Sequence, residues 1–446
     1  LGIQGSPSTF DGSMVFDRTI PLLLEIDFIS NNSFYDSVAA FGDSVFLIFY
    51  TDEQIQAPVV TIGSDTVSAE GDGSSWTASK ELGEEDSEGF VPFRIIYKDL
   101  GGNLGIPTTV ATDSATVSFD RTPPQIINLI MSSDNSDSDS LAKVGTSVTV
   151  FMVSNEQVQE PQIFISGKEA EVSGSFSYWT ATMLMEEDDE EGPVSFVINF
   201  KDPAGNPGPE TVSTTSGEYI LFDKTEPELS DISFLSTNEF GDSLSRPGDI
   251  VELVFTTTES ITIPAVSING EDANISGDGI SWSATRMMME YDSDGPVSFV
   301  IDYKDPAGNQ GQAVTSLIDS PGVVFDKTPP ILDDISITVG NELGYPFAAS
   351  GDSISLTFSS SEFIYPPDIV LNDAQIEASF IDSHWVAAVE VATEDSEGVV
   401  GFAIDYRDRS GNIGSQRVST TDGSGVTIDL TNATVISVDA YSDDVL

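Results

Sequence analysis

Cysteine is absent from the 446 residues, histidine occurs once, and lysine plus arginine number 16 against 74 aspartates and glutamates. The lack of cysteine excludes disulfide staples and thiolate metal sites, so each folded part must rest on its core or on oxygen-ligated ions. The scarcity of bases leaves a net charge of −58, which excludes nucleic-acid binding and attraction to anionic membrane faces. Cations, water and neutral surfaces remain as partners. No apolar run approaches the roughly 18 residues that span a bilayer. The longest, such as Val45 to Tyr50, have strand length. No membrane-spanning segment is expected.

Catalysis finds no support either. His384 stands beside Trp385 and reads as a turn or surface residue. No glycine-rich phosphate loop follows a strand and opens a helix. Paired carboxylates can hydrolyse glycosides, but a catalytic pair is expected once, in a cleft, whereas here the acids are spread along the chain. The chain does not read as an enzyme.

What is present is a repeat. Trp76, Trp179, Trp282 and Trp385 are spaced by 103 residues, as are Asp17, Asp120, Asp223, Asp326 and Asp429. Asn103, Asn206, Asn309 and Asn412 keep the step, with no insertion or deletion. Four repeats follow, 17–119, 120–222, 223–325 and 326–428. Residues 1–16 read as the last strand of a preceding repeat and 429–446 as the start of a following one, as in a window of a longer array. A length this constant suggests that the rise per repeat matters; duplication with little time for indels explains it equally.

Within a repeat the apolar residues alternate. Val91-Phe93-Ile95-Tyr97 and Val45-Leu47-Phe49 have period two and predict half-buried strands. Turn clusters divide the first repeat into seven strands near 22–30, 44–51, 58–63, 65–70, 75–82, 90–99 and 108–119. The fold class expected is all-β, as tandem immunoglobulin-like β-sandwich domains. The tryptophan reads as a core anchor at one end of the sandwich. Junctions such as Phe119-Asp120-Arg121-Thr122-Pro123-Pro124 carry proline, which fixes φ and extends its predecessor, so the sandwiches are expected end to end as a rod.

The pairing of a Phe-Asp-x-Thr-x-Pro junction with a later Lys-Asp-Pro-Ala-Gly-Asn turn, Lys201 to Asn206 and Lys304 to Asn309, resembles tandem bacterial immunoglobulin-like repeats of large cell-surface and adhesin proteins. That resemblance implies an extracellular spacer at the cell surface, often rigidified by Ca²⁺ at domain junctions. Lys98-Asp99-Leu100-Gly101-Gly102-Asn103 and Arg407-Asp408-Arg409-Ser410-Gly411-Asn412 depart from the motif, which weakens the implied ion binding in the first and last repeats.

Tracing such a sandwich brings the linker aspartate beside two acids at the top of the repeat that it enters. The sets are Asp17, Glu53 and Asp99; Asp120, Glu156 and Asp202; Asp223, Glu259 and Asp305; and Asp326, Glu362 and Asp408. Asp86 and Glu88, at the bottom of the preceding sandwich, are expected near Asp120. Two carboxylates about 4 Å apart repel by ~4 kcal/mol at an effective dielectric of ~20. Bases are too few to compensate, with 17 acids and 4 bases over 17–119. A hard cation with oxygen ligands fits, and Ca²⁺ fits better than Mg²⁺ because it accepts loose geometry. The competing reading is an Asx turn, in which each aspartate bonds its own backbone. The loop Glu84 to Gly89 reads as a solvated acidic turn or a second ion site. Asp137 and Asp139 match the helix–loop–helix calcium pattern only weakly. A salty habitat would explain scattered acidity without any site.

Two functions remain. One is a structural extracellular protein, a calcium-rigidified stalk or a building block of a surface layer, sheath or filament, with neighbouring repeats and self-assembly as partners. The other is a carbohydrate- or cell-binding module acting through loops, with Phe34, Tyr35, Tyr345 and Phe347 as its aromatic surface. Asn31, Asn274 and Asn432 head glycosylation acceptor patterns.

Overall fold

The computed structural model describes residues 16–317, 322–341 and 345–438. Most of the two terminal segments assigned to neighbouring repeats, 1–15 and 439–446, lies outside the described residues. Among the described residues every regular element is a strand, and no helix is long and apolar enough to cross a membrane. The protein is an all-β chain of immunoglobulin-like sandwiches.

The first repeat shows how the sequence makes the fold. Its strands are β1 (Leu23–Ser30), β2 (Val38–Ala39), β3 (Ser44–Thr51), β4 (Val59–Ile62), β5 (Asp65–Val67), β6 (Ala69–Gly71), β7 (Ser75–Glu81), β8 (Gly89–Phe90), β9 (Phe93–Ile96) and β10 (Ser118–Phe119). One sheet has the antiparallel order β1-β3-β7-β6, and the facing sheet runs β5-β4-β9. Four strands thus face three, the general plan of an immunoglobulin-like sandwich, with β5 at the edge of the smaller sheet. A small third sheet, β2-β10-β8, closes one end, with β10 parallel to β2 and antiparallel to β8.

The alternation in β3 works as expected. Val45, Leu47 and Phe49 are buried, and their neighbours on the other face are partly exposed. Val91, Phe93, Ile95 and Tyr97 meet them from the opposite sheet, and Phe28 packs on Phe93 with ring centroids 4.9 Å apart. Separate buried clusters of this kind occupy 26–119, 129–222, 234–325 and 332–428. By packing, the chain divides into two compact units, Leu1–Lys224 and Thr225–Leu446, each holding two of these cores.

Two of the expected strands differ. The fourth, 65–70, is split: β5 pairs with β4 in one sheet and β6 with β7 in the other, so this segment crosses between sheets. The seventh, 108–119, is not continuous. Thr108 bridges Ile95, then the Thr112 amide donates to Ile26 of β1 at 3.1 Å, and Ser114 turns with φ of 65°. The chain leaves one sheet for the other there. The Asp113 turn, whose carboxylate accepts from the Ala115 amide at 2.8 Å, interrupts the ladder.

The four tryptophans are buried, 6–8% exposed. In three repeats each lies over a glycine on the paired strand: Gly71 opposite Trp76, Gly174 opposite Trp179 and Gly277 opposite Trp282. A Cβ on Gly277 would stand 2.4 Å from the Trp282 ring. Gly277→Ala is therefore expected to cost about 1–3 kcal/mol by overpacking, seen as earlier urea unfolding of one fraction of the chain.

Candidate metal centres

Each set of acids is assembled from three places in the sandwich. Asp99 opens the tight turn that follows β9, closed by the Asn103 amide donating to its Oδ1 at 2.8 Å and the Asn103 side chain to its Oδ2 at 2.6 Å. Asp202 is held the same way, by the Gly205 and Asn206 amides at 2.7 and 2.9 Å and the Asn206 side chain at 2.7 Å. Asp408 has its Asn412 bonds at 2.9 and 2.7 Å. These aspartates are at most 1% exposed. The turn thus keeps one geometry whether or not it contains Pro-Ala, because the aspartate–asparagine pair closes it and the middle residues do not.

The glutamate comes from the loop after β3. Thr51 donates its hydroxyl to the Glu53 carbonyl at 2.6 Å, and Ser154, Thr257 and Ser360 do the same for Glu156, Glu259 and Glu362. The linker aspartate reaches in from the preceding repeat. The Asp120 amide donates to Ala39 at 2.9 Å, its carbonyl accepts from the Asn206 side chain at 3.0 Å, and its Oδ1 accepts from the Thr122 amide at 3.0 Å. The Asx turn expected as the alternative is therefore formed, and it uses one oxygen of a carboxylate that also faces the other acids.

The outcome is a cluster. In the sets Asp17, Glu53, Asp99; Asp120, Glu156, Asp202; and Asp326, Glu362, Asp408, one oxygen of each residue lies within 4.8 Å of the others. Asp223 belongs to the first compact unit and Glu259 and Asp305 to the second, so the expectation for that set rests on the repeat. In the first, second and fourth sets no acid forms an ion pair with lysine or arginine among the described residues.

The acidic loop divides between two tasks. Asp86 turns away from the junction, pairing with Lys80 and accepting from the Gly83 amide at 2.9 Å. Its counterparts Asp189 and Asp292 pair with Lys168 at 2.9 Å and Arg286 at 2.8 Å. Glu88 goes to the junction, where it accepts from the Arg121 amide at 3.0 Å and the Thr122 hydroxyl at 2.7 Å. Asp294 does likewise with Lys327 and Thr328, both at 2.7 Å. Asp86 and Glu88 were both expected near the linker aspartate; Glu88 meets it there, whereas the Asp86 carboxylate is pinned to Lys80 and the Gly83 amide.

A lateral clasp joins the two repeats inside each unit. Asn32 donates to Ala204 at 2.7 Å and to Asp43 at 2.7 Å, and Phe34 covers Gly205. In the second unit Asn238 donates to Ser410 at 2.9 Å, and Phe240 packs on Tyr365 and Arg407, at 5.6 and 5.1 Å. All four candidate aromatics, Phe34, Tyr35, Tyr345 and Phe347, are exposed, and one edge of Phe34 also packs on Gly205. His384 lies exposed at a hairpin, its Nδ1 3.0 Å from the Asp382 carbonyl.

Neither a family model nor a curated protein sequence matches the chain. Among solved structures, the I9–I11 tandem of titin is 9% identical, covering 66% of this chain and 96% of its own, with a TM-score of 0.25. Fibronectin(III)-like modules of CbhA from Clostridium thermocellum are 10% identical, covering 44% and 94%, with a TM-score of 0.25. A Bacteroides ovatus protein of a mixed-linkage glucan utilization locus, solved with a heptasaccharide, is 12% identical, covering 84% and 93%, with a TM-score of 0.16. The fold assignment rests on the strand order described above.

The cluster has a definite electrostatic consequence. Burial, then the charges of Asp202 and Glu88, raise the Asp120 carboxyl above its ordinary 3.8, and burial, then Asp120 and Asp202, raise Glu156 above 4.5. Asp326 and Glu362 are raised by the same causes. A raised carboxyl adds stability that is complete below its unfolded pKa and is lost as pH rises through the folded one. In chelator the 120 and 326 junctions are expected to resist proteolysis better near pH 4 than near pH 7. Limited digestion across that range checks the sign.

Proposed function

We propose that this is a structural repeat protein of the extracellular cell surface, a stalk or a building block of a layer, sheath or filament. Its sandwiches are bounded at 17–119, 120–222, 223–325 and 326–428, and Ca²⁺ stiffens their junctions. The observation that carries this reading is the meeting of three carboxylates, within 4.8 Å and without a basic partner, where one repeat enters the next. A spacer that only needed solubility would scatter its charge. Here the acids recur at fixed offsets, and burial works against their ionisation.

The donor set suits calcium. Asp120, Glu156 and Asp202 offer hard oxygens, Glu88 stands beside them, and turn carbonyls are at hand. Mg²⁺ demands stricter octahedral geometry and retains its water. A bound divalent ion would neutralise the mutual repulsion and tie the linker aspartate, whose amide is fixed in one repeat, to acids fixed in the next. Neighbouring repeats of the same longer chain are the first partners, and lateral association into a polymer is the second. The alternative, glycan or cell capture by Tyr35 and Tyr345, rests on exposure alone.

Small-angle scattering of the chain with Ca²⁺ and with chelator tests the reading. Loss of the ion is expected to broaden the distance distribution, and identical flexible profiles in both conditions overturn it. Asn206→Ala, which removes the amide that orients Asp202, is expected to weaken calcium binding at that junction roughly 10- to 100-fold. Calorimetric titration should then show one weak site among unaltered ones.

A further inference from the structure

The fourth repeat departs from the others at two positions that meet in space. Where three repeats carry Gly71, Gly174 and Gly277 opposite the tryptophan, the fourth has Phe380, paired in the same register with Trp385. Where they carry Gln54, Gln157 and Ser260, it has Phe363. Both new rings line a cavity of about 500 Å³ together with Trp385, Ile364, Pro366 and Glu362. A phenylalanine introduced only to fill space would not leave a cavity of that size.

The walls have a recognisable chemistry. Phe380 and Trp385 stand with centroids 5.3 Å apart at 57°, forming a corner of two rings, and Phe363 adds a third. Phe363 and Phe380 are 59% and 61% exposed, so both rings are open to a ligand from solvent. Glu362 brings negative charge to the lining and stands with Asp326 and Asp408. Arg409, which is not part of the lining, rests its guanidinium 5.2 Å from the Phe363 ring, so the corner of Phe380 and Trp385 with Glu362 is the part of the lining free of a basic group. The hairpin at the rim turns through Asp382 and Ser383, at φ of 49° and 71°, the two positive values that a two-residue hairpin turn requires.

We propose that this cavity is a binding site for an organic cation with a methylated ammonium head, held by three aromatic rings and a carboxylate. Charge selects the ligand class: a ring cage beside clustered carboxylates favours a cation over a neutral body of the same shape. The site is confined to one of the four repeats. It shares Glu362 with the calcium reading but does not require the ion.

Choline and its neutral carbon isostere 3,3-dimethyl-1-butanol are the probes. Saturation-transfer NMR on the full chain, in chelator and at matched ionic strength, separates this result from that of the calcium reading. Choline is expected to bind saturably and the isostere roughly 10-fold more weakly. Phe380→Gly, which installs the residue that three repeats carry, is expected to lower choline binding by a similar factor while the thermal melt stays that of a folded chain. Equal binding of the two probes, absence of saturable choline binding, or an unchanged affinity in Phe380→Gly overturns the proposal.

Discussion

The structure turns on a buried aspartate that is fully hydrogen-bonded by its own turn. Asp202 lies at 0% exposure because Asn206 supplies one side-chain and one backbone donor and Gly205 another. An ionised carboxylate so placed would otherwise carry a heavy desolvation cost. The same asparagine reaches across to the Asp120 carbonyl. One amide side chain therefore both stabilises a buried charge and registers the incoming repeat, and the constancy of the Asp-to-Asn offset at four positions follows from that double duty.

Much of this was legible in the sequence. Period-two patterns located β3 and β9, because a half-buried strand must alternate. The offsets of Asp120, Glu156 and Asp202 located the acid clusters, because strand order alone fixes which loops share an end. Three features were not legible. The break in the last strand depends on where the chain changes sheets, and period gives no sign of that. The placing of Glu88 at the junction and Asp86 away from it depends on which way a short acidic loop is pinned. The clasp between Asn32 and Ala204 joins residues 172 apart, beyond the reach of any local pattern.

The repeats also show how freely one task changes hands. The loop carboxylates Asp86 and Asp292 are held from one equivalent strand position, by Lys80 of β7 and by Arg286 of the strand Ser281–Met287, but Asp189 is held by Lys168 from the short strand Lys168–Glu169. In the second repeat the cation arrives from another strand, while the acid and its backbone bond to the loop stay in place. What is kept is the loop's anchoring, and the pairing residue is interchangeable wherever a long side chain reaches the same point. The exchange of glycine for Phe380 shows the opposite: an identical register that yields a different surface.

The linker aspartate is gripped from both directions, its amide by Ala39 of the repeat behind and its carbonyl by Asn206 of the repeat ahead. Tension between these two repeats would fall on that pair of hydrogen bonds together with the clasp of Asn32 on Ala204. All of them lie outside the β-sheet ladders, so the boundary between sandwiches could act as a fuse, yielding and re-forming while the cores stay shut.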